Sequence, residues 1–144
     1  MKYPHLIINC DGGARGNPGS AAVGVVIRIM NDELRIKIKE IVKFGKYIGE
    51  ATNNVAEYTA VFEALTYLKT HSIQSERIDF LLDANLVVQQ LSGVFKVKNT
   101  TLKDLFLKIR FLENAVSRGV SYIYIPREKN GEADRLVNQA LDEL

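Results

Sequence analysis

The sequence predicts an α/β fold: a mixed five-stranded sheet, made of a three-stranded antiparallel meander plus parallel strands, with helices packed on it. Two observations lead to this prediction. Three strand-like segments follow one another near the start of the chain, at residues 5–11, 21–30 and 34–44. After residue 52, helical segments alternate with short strand-like ones. Successive strands favour antiparallel pairing, whereas strands separated by helices are typical of parallel pairing.

Each element is assigned from its apolar pattern and its end signals. The first three segments are strand-like apolar runs, and the third alternates in the stretch LRIKIKEIV. Residues 52–70 carry apolar positions at helical spacing after Thr52 or Asn53 as the N-cap. The rest of the chain predicts a strand at 77–83, a short helix at 84–91, a helix at 101–118 with a capping-box-like pair at Thr101 and Asp104, a strand at 120–126 and a helix at 131–144.

The composition is that of an ordinary soluble globular protein. Of the 144 residues, 47% are hydrophobic and 25% are charged, and we expect one domain over residues 1–144 and a monomer. The single cysteine, Cys10, excludes an intramolecular disulfide. There is neither a signal peptide nor an apolar run of bilayer length, so we expect a cytoplasmic protein with no membrane partner.

Charge is informative only locally. The net charge of +2 is too small to indicate a partner, but five of the fifteen residues from 96 to 110 are Lys or Arg, opposed by Asp104 alone. Such a segment is either a solvated helix face with a charged turn or a surface that binds phosphates.

Four carboxylates lie at positions that suggest a common site. Asp11 and Asp83 end apolar strands, Glu57 shares the apolar face of its helix, and Asp134 flanks the apolar stripe of the last helix. Taken singly, a strand-end Asp can be a turn former and an inward Glu can pair with an Arg. If the four converge, their repulsion raises their pKa values, and a hard divalent cation with oxygen preference relieves it.

Four stretches together resemble the type 1 ribonuclease H family. They are DGGARGNPG at 11–19, TNNVAEYTA at 52–60, LLDANLVVQQLSG at 81–93 and IPREKNGEADRLVNQA at 125–140. The resemblance implies a ribonuclease-H-like fold and a metal-dependent endonuclease that hydrolyses the RNA strand of an RNA/DNA hybrid. It also implies two Mg²⁺ ions, with Mn²⁺ as a substitute, held by Asp11, Glu57, Asp83 and Asp134. Asp11 would bridge both ions, Asp134 would help hold the ion that activates water, and Glu57 and Asp83 would hold the other.

The glycine-rich stretch after Asp11 is interpreted as a loop whose backbone approaches a nucleic acid closely. Discrimination of RNA from DNA requires short donors and acceptors near the 2′-hydroxyl in the minor groove. The predicted nucleic-acid-binding residues are Gly12, Gly13, Ala14, Arg15, Asn17, Asn53, Asn54 and Asn85, together with Lys96 and Lys98 of the basic segment.

The chain departs from well-studied bacterial members of the family in three places. Ala84 follows the third catalytic Asp, where many members have serine. The loop before the last Asp has no histidine and reads PREKN, which makes Arg127 the expected catalytic replacement. Only GVFKVKNT separates the short helix from the next one, so the basic helical handle is missing.

Three other functions fit parts of the sequence. A module that binds hybrids without cutting them would keep the loop and the basic segment, but it would not need the full carboxylate set. A nucleotide-binding domain would explain a Gly-rich loop after a strand, but the Lys-Ser/Thr ending of a P-loop is absent. A nuclease of the same fold could act on double-stranded RNA or DNA junctions, because only the groove contacts would differ.

Overall fold

A computed structural model describes the backbone of residues 1–144 and all side chains except those of residues 37 and 38. In chain order the elements are β1 (Lys2–Gly16), β2 (Gly19–Asn31), β3 (Ile36–Ala51), α1 (Asn53–Thr70), β4 (Gln74–Leu82), α2 (Asn85–Leu91), α3 (Thr100–Val116), β5 (Val120–Tyr124), a 3₁₀ turn (Arg127–Lys129) and α4 (Gly131–Asp142).

The five strands form one mixed sheet in the order β3-β2-β1-β4-β5. Strands β1, β2 and β3 pair antiparallel as a meander, whereas β4 pairs parallel to β1 and β5 pairs parallel to β4. The predicted fold class is therefore confirmed.

Strand β1 is longer than the sequence predicted. It continues past Asp11 to Gly16 and stays paired with β2 up to the Gly16–Gly19 pair, so the expectation that the strand ends at Asp11 and a loop follows is wrong. The parallel pairing of β1 with β4 does end here, at Asn9 and Leu81. Asp11 and Asp83 each lie two residues beyond that last pair, so the two strands separate where the carboxylates begin.

The helix ends follow local capping chemistry. Thr52 caps α1, because its side-chain oxygen accepts a hydrogen bond from the Val55 amide. Helix α3 begins one residue earlier than predicted, since Asn99 rather than Thr101 accepts from the Leu102 amide. No helix among the described residues is both long enough and apolar enough to cross a membrane.

The helices cover both faces of the sheet. The main core lies on the side of α1, where Tyr58, Leu65 and Leu68 join Val23 of β2. A smaller cluster joins the neighbouring Ala22 to Val137 and Leu141 of α4. Because successive residues of a strand point to opposite faces, α4 lies on the face opposite α1.

Two glycines allow α4 to lie directly on the backbone of the sheet. A Cβ atom at Gly24 would lie 2.1 Å from the Ala133 carbonyl oxygen, and one at Gly45 would lie 2.4 Å from the Leu136 oxygen. Side chains at these two positions would therefore hold the helix away from the sheet.

This contact predicts the effect of a single methyl group. We expect Gly24→Ala to lower the free energy of unfolding by about 1–3 kcal/mol or more, because the methyl overlaps a helix backbone that cannot move locally. Gly131→Ala is the matched control, since its added Cβ would meet no described atom within 4 Å apart from its own chain neighbours and helix backbone. Urea unfolding followed by circular dichroism measures both; equal midpoints for Gly24→Ala and the wild type would contradict the expectation.

Candidate active site

The four predicted carboxylates line one cleft at the end of the β1–β4 pairing. The cleft has a volume of about 410 Å³ and is lined by Asp11, Glu57, Asp83, Asp134 and Arg127. Glu57 comes from α1 on one face of the sheet and Asp134 from α4 on the other, while Asp11 and Asp83 come from the strands between them. The topology thus brings together residues that are up to 123 positions apart in the chain.

Three of the carboxylates lie close enough to share one ion. Asp11, Glu57 and Asp83 each place an oxygen within 4.8 Å of the others. The Gly12 amide donates to both Asp11 Oδ1, at 3.0 Å, and Glu57 Oε1, at 2.9 Å. Glu57 is only 5% exposed, and its Oε2 atom has no hydrogen-bond partner among the described residues.

Burial and repulsion between neighbouring carboxylates disfavour the charged forms of Asp11 and Glu57. Desolvation raises the pKa of Asp11 to about 6; the Glu57 contact opposes this shift, and the charges of Asp83 and Asp134 add to it. Desolvation also raises the pKa of Glu57 well above its usual range, and the nearby charge of Asp11 adds to this shift. A bound divalent cation offsets both the desolvation of these carboxylates and their mutual repulsion. The atoms available to bind it are carboxylate oxygens, which Mg²⁺ prefers. The residues therefore fit a divalent metal.

Asp134 lies outside the group of three but interacts with Asp11. It is half-buried in the first turn of α4, and its negative charge contributes to the raised pKa of Asp11. Asp11 therefore belongs both to the group of three and to a pair with Asp134.

Backbone contacts within the protein explain the glycines that follow Asp11. A Cβ at Gly12 would lie 2.2 Å from the Ala56 carbonyl carbon, so this glycine lets α1 contact β1. Gly16 has φ +90, and Gly19 leaves room for the Arg15 carbonyl across the turn. The amide of Gly12 donates to the carboxylates of Asp11 and Glu57, and Gly12 lines the cleft; its contact with a nucleic acid stays a prediction.

The other predicted nucleic-acid residues divide into two groups. Gly13, Ala14, Arg15, Asn53 and Asn54 line the cleft. Asn17 does not line it, but its oxygen accepts from the Asn53 amide at 3.0 Å, while the Asn53 oxygen accepts from the Ala14 amide at 2.9 Å. These bonds tie the β1–β2 turn to the start of α1.

Asn85, Lys96 and Lys98 lie outside the cleft. Asn85 begins α2 and is exposed, and the two lysines are exposed in the segment between α2 and α3. Arg127, in contrast, lies in the cleft wall on the 3₁₀ turn and is exposed. Within the part of the chain that is described it forms no ion pair, and Glu132 pairs with Arg28 at 2.5 Å.

Asn130 is a site residue that the sequence analysis missed. It is 1% exposed and immediately precedes α4. Its amide nitrogen donates to the Cys10 carbonyl at 2.9 Å and to Asp83 Oδ2 at 3.1 Å, and its oxygen accepts from Asn9 at 3.1 Å. The available signal was Asn9, a polar residue inside the apolar run of β1, which must find a partner when it is buried.

The sequence of this chain is similar to those of known nucleases and related proteins. The family described as "Reverse transcriptase-like" matches residues 9–140. A bifunctional protein of Mycobacterium tuberculosis is 36% identical over 137 residues, which are 95% of this chain and 35% of that protein. A ribonuclease HI of Halobacterium salinarum is 35% identical over 92% of this chain and 62% of its own length. The chain thus spans about a third of the length of the mycobacterial relatives.

Solved structures also share the backbone fold of this chain. A crystal structure of LC11-RNase H1 in complex with RNA/DNA hybrid is 41% identical, with a TM-score of 0.85, over 96% of this chain and 97% of that one. The RNase H1 of the halophilic archaeon Halobacterium salinarum is 34% identical, with the same TM-score, over 97% and 99% of the two chains. The chain therefore belongs to the type 1 ribonuclease H family.

Proposed function

We propose that this protein is a metal-dependent endoribonuclease that hydrolyses the RNA strand of RNA/DNA hybrids. The observation that carries the proposal is the group formed by Asp11, Glu57 and Asp83, whose oxygens lie within 4.8 Å of one another. It is supported by similarity to a ribonuclease H1 whose structure contains an RNA/DNA hybrid. A module that only binds hybrids would not need buried carboxylates that repel one another.

Two Mg²⁺ ions are the proposed cofactors, with Mn²⁺ as a substitute. When bound, such a pair supplies a nucleophile at neutral pH and neutralises charge on the attacking and leaving oxygens. Asp11 would help to hold both ions, because it is a member of the group of three and lines the same cleft as Asp134, whose charge raises its pKa. Glu57 and Asp83 would complete one ion site, and Asp134 would complete the other.

The walls of the cleft would orient the hybrid. Gly13, Ala14 and Asn54 offer backbone groups and a short amide beside the carboxylates, as recognition of a 2′-hydroxyl in a wide minor groove requires. Asn17 and Asn53 hold that wall in place through the bonds to the turn. Arg15 lines the same wall, where it pairs with Asp142 at 2.6 Å.

Lys96 and Lys98 would bind phosphates away from the cleft. Helix α2 begins two residues after Asp83, and the two lysines are exposed in the segment that follows it. A duplex extends far beyond the cleaved bond, and exposed cations outside the cleft can meet phosphates further along it. Asn85, the first residue of α2, lies between Asp83 and the lysines in the chain.

Three further properties are part of the proposal. We infer a single domain over residues 1–144, since one sheet contains all five strands, and a monomer, since one copy of the chain supplies all four carboxylates of the proposed metal site. A cytoplasmic location is consistent with the free thiol of Cys10.

The main prediction is that the protein cleaves RNA/DNA hybrids and not double-stranded DNA. We expect the protein to cut the RNA strand of an end-labelled RNA/DNA hybrid with Mg²⁺ and not with EDTA, and to leave double-stranded DNA intact. Asp11→Asn should abolish cleavage while retaining hybrid binding, because a neutral amide cannot hold two cations. Asp104→Asn, on the exposed face of α3, is the control. Cleavage in the presence of EDTA, or near-normal turnover by Asp11→Asn, would refute the proposal.

A second prediction follows from the raised pKa of Asp11. Since the folded pKa of about 6 exceeds the ordinary value of 3.8, the folded protein binds more protons between these values, and stability falls as the pH rises through about 6. In EDTA, we expect the wild type to lose on the order of 2 kcal/mol relative to Asp11→Asn between pH 4 and pH 7.5.

Urea unfolding of both proteins across this pH range measures the difference. Mg²⁺ at pH 7.5 should restore the stability of the wild type and leave Asp11→Asn unchanged. Parallel pH profiles for the two proteins would show that the Asp11 carboxyl is not destabilised by burial.

A third prediction concerns Arg127. A guanidinium can hold the scissile phosphate with two hydrogen bonds and stabilise its developing charge. We expect Arg127→Ala to lower the single-turnover rate roughly 10²-fold with a much smaller change in hybrid affinity, and Arg127→Lys to recover little of it. Arg118→Ala, at an exposed arginine outside the cleft, is the control. A wild-type rate for Arg127→Ala would remove this residue from the site.

A further inference from the structure

Asn130 connects three parts of the cleft that come from distant places in the sequence. Its amide nitrogen contacts β1 at the Cys10 carbonyl, one residue before Asp11, and also contacts Asp83 beyond the end of β4. Its own carbonyl accepts the amide of Asp134, at 3.1 Å, in the first turn of α4. One buried side chain and its backbone therefore touch β1, Asp83 and Asp134.

The orientation of the Asn130 amide is fixed by its neighbours. The Cys10 carbonyl and the Asp83 carboxylate can only accept hydrogen bonds, so the amide nitrogen must face them. The amide oxygen must then face Asn9, which donates to it at 3.1 Å. A flipped amide would place an oxygen against two acceptors in a site that is 1% exposed, and the cost of that arrangement keeps the amide in one state.

We propose that Asn130 is a positioning residue for the metal-binding carboxylates. It holds Asp83 at a fixed distance from β1, and thus from Asp11, and it sets the start of the helix that carries Asp134. The inference rests on the proposed function only in taking these carboxylates as metal ligands. Partners that hydrogen-bond metal ligands typically change metal affinity 10- to 100-fold when they are removed.

The alternative is that Asn130 only fills space and stabilises the fold. Asn9 allows the two roles to be separated, because it is also buried, at 6% exposure, and contacts Asn130. Asn9→Ala removes the hydrogen bond to the Asn130 oxygen and leaves a comparable cavity next to it. It leaves both donations from the Asn130 nitrogen in place.

The test is Mn²⁺ binding to the free protein, measured by titration calorimetry, with thermal unfolding of each variant in EDTA. We expect Asn130→Ala to bind Mn²⁺ about tenfold more weakly than the wild type, and Asn9→Ala to bind it within twofold even though both variants lose stability. If Asn130→Ala does not fold, Asn130→Leu and Asn9→Leu make the same comparison with side chains of similar shape that cannot donate.

Two results would overturn the inference: Mn²⁺ affinity of the Asn130 variant within twofold of the wild type, or an equal loss in the Asn9 variant. The outcome is separable from the proposed activity. A wild type that binds Mn²⁺ but leaves the hybrid intact would refute the activity and leave the positioning role standing. A wild type that cuts the hybrid, with equal affinity in both variants, would refute only the positioning role.

Discussion

The contact between Gly12 and the first turns of α1 determines where the acidic cluster forms. Because position 12 has no side chain, the backbone of β1 reaches the backbone of Ala56 and Glu57 directly. The same approach lets one amide donate to both Asp11 and Glu57. A larger residue would separate the strand from the helix, and with them the two most buried carboxylates of the cleft. Packing of the β1 backbone against the α1 backbone therefore sets the position of the acidic cluster.

Burial of these carboxylates has an energetic cost that the rest of the fold must offset. Asp11, Glu57 and Asp83 gather beyond the last β1–β4 pair, and desolvation raises the pKa values of the first two. The apolar core between the sheet and α1 supplies the stabilisation that permits this arrangement. Stability and metal affinity are therefore opposed at Asp11, since the repulsion that weakens the folded state is what a cation relieves.

The sequence predicted the features that depend on periodicity and on residue type. The meander, the alternation after residue 52 and the inward position of Glu57 all follow from apolar spacing, and the structure agrees with them. The continuation of β1 through Gly16 was missed because glycines weaken strand signals even where pairing persists. The need for a glycine at 12 could not be found, since it depends on a helix forty-four residues later coming into contact. Asn130 was missed because an asparagine that precedes a helix looks the same in sequence whether it is an N-cap or a buried bridge; only the buried Asn9 indicated that a polar partner was needed.

The two helices that carry Glu57 and Asp134 lie on opposite faces of the sheet, and this makes the sheet a spacer between them. The distance between their carboxylates depends on how closely each helix approaches the sheet, which Gly12 sets on one side and Gly24 and Gly45 set on the other. Changes in apolar side chains along either helix can alter stability without changing that distance. The glycines of the sheet therefore set the spacing of the carboxylates across the cleft. A protein built this way can change most of its apolar core while that spacing, and with it the metal site, is preserved.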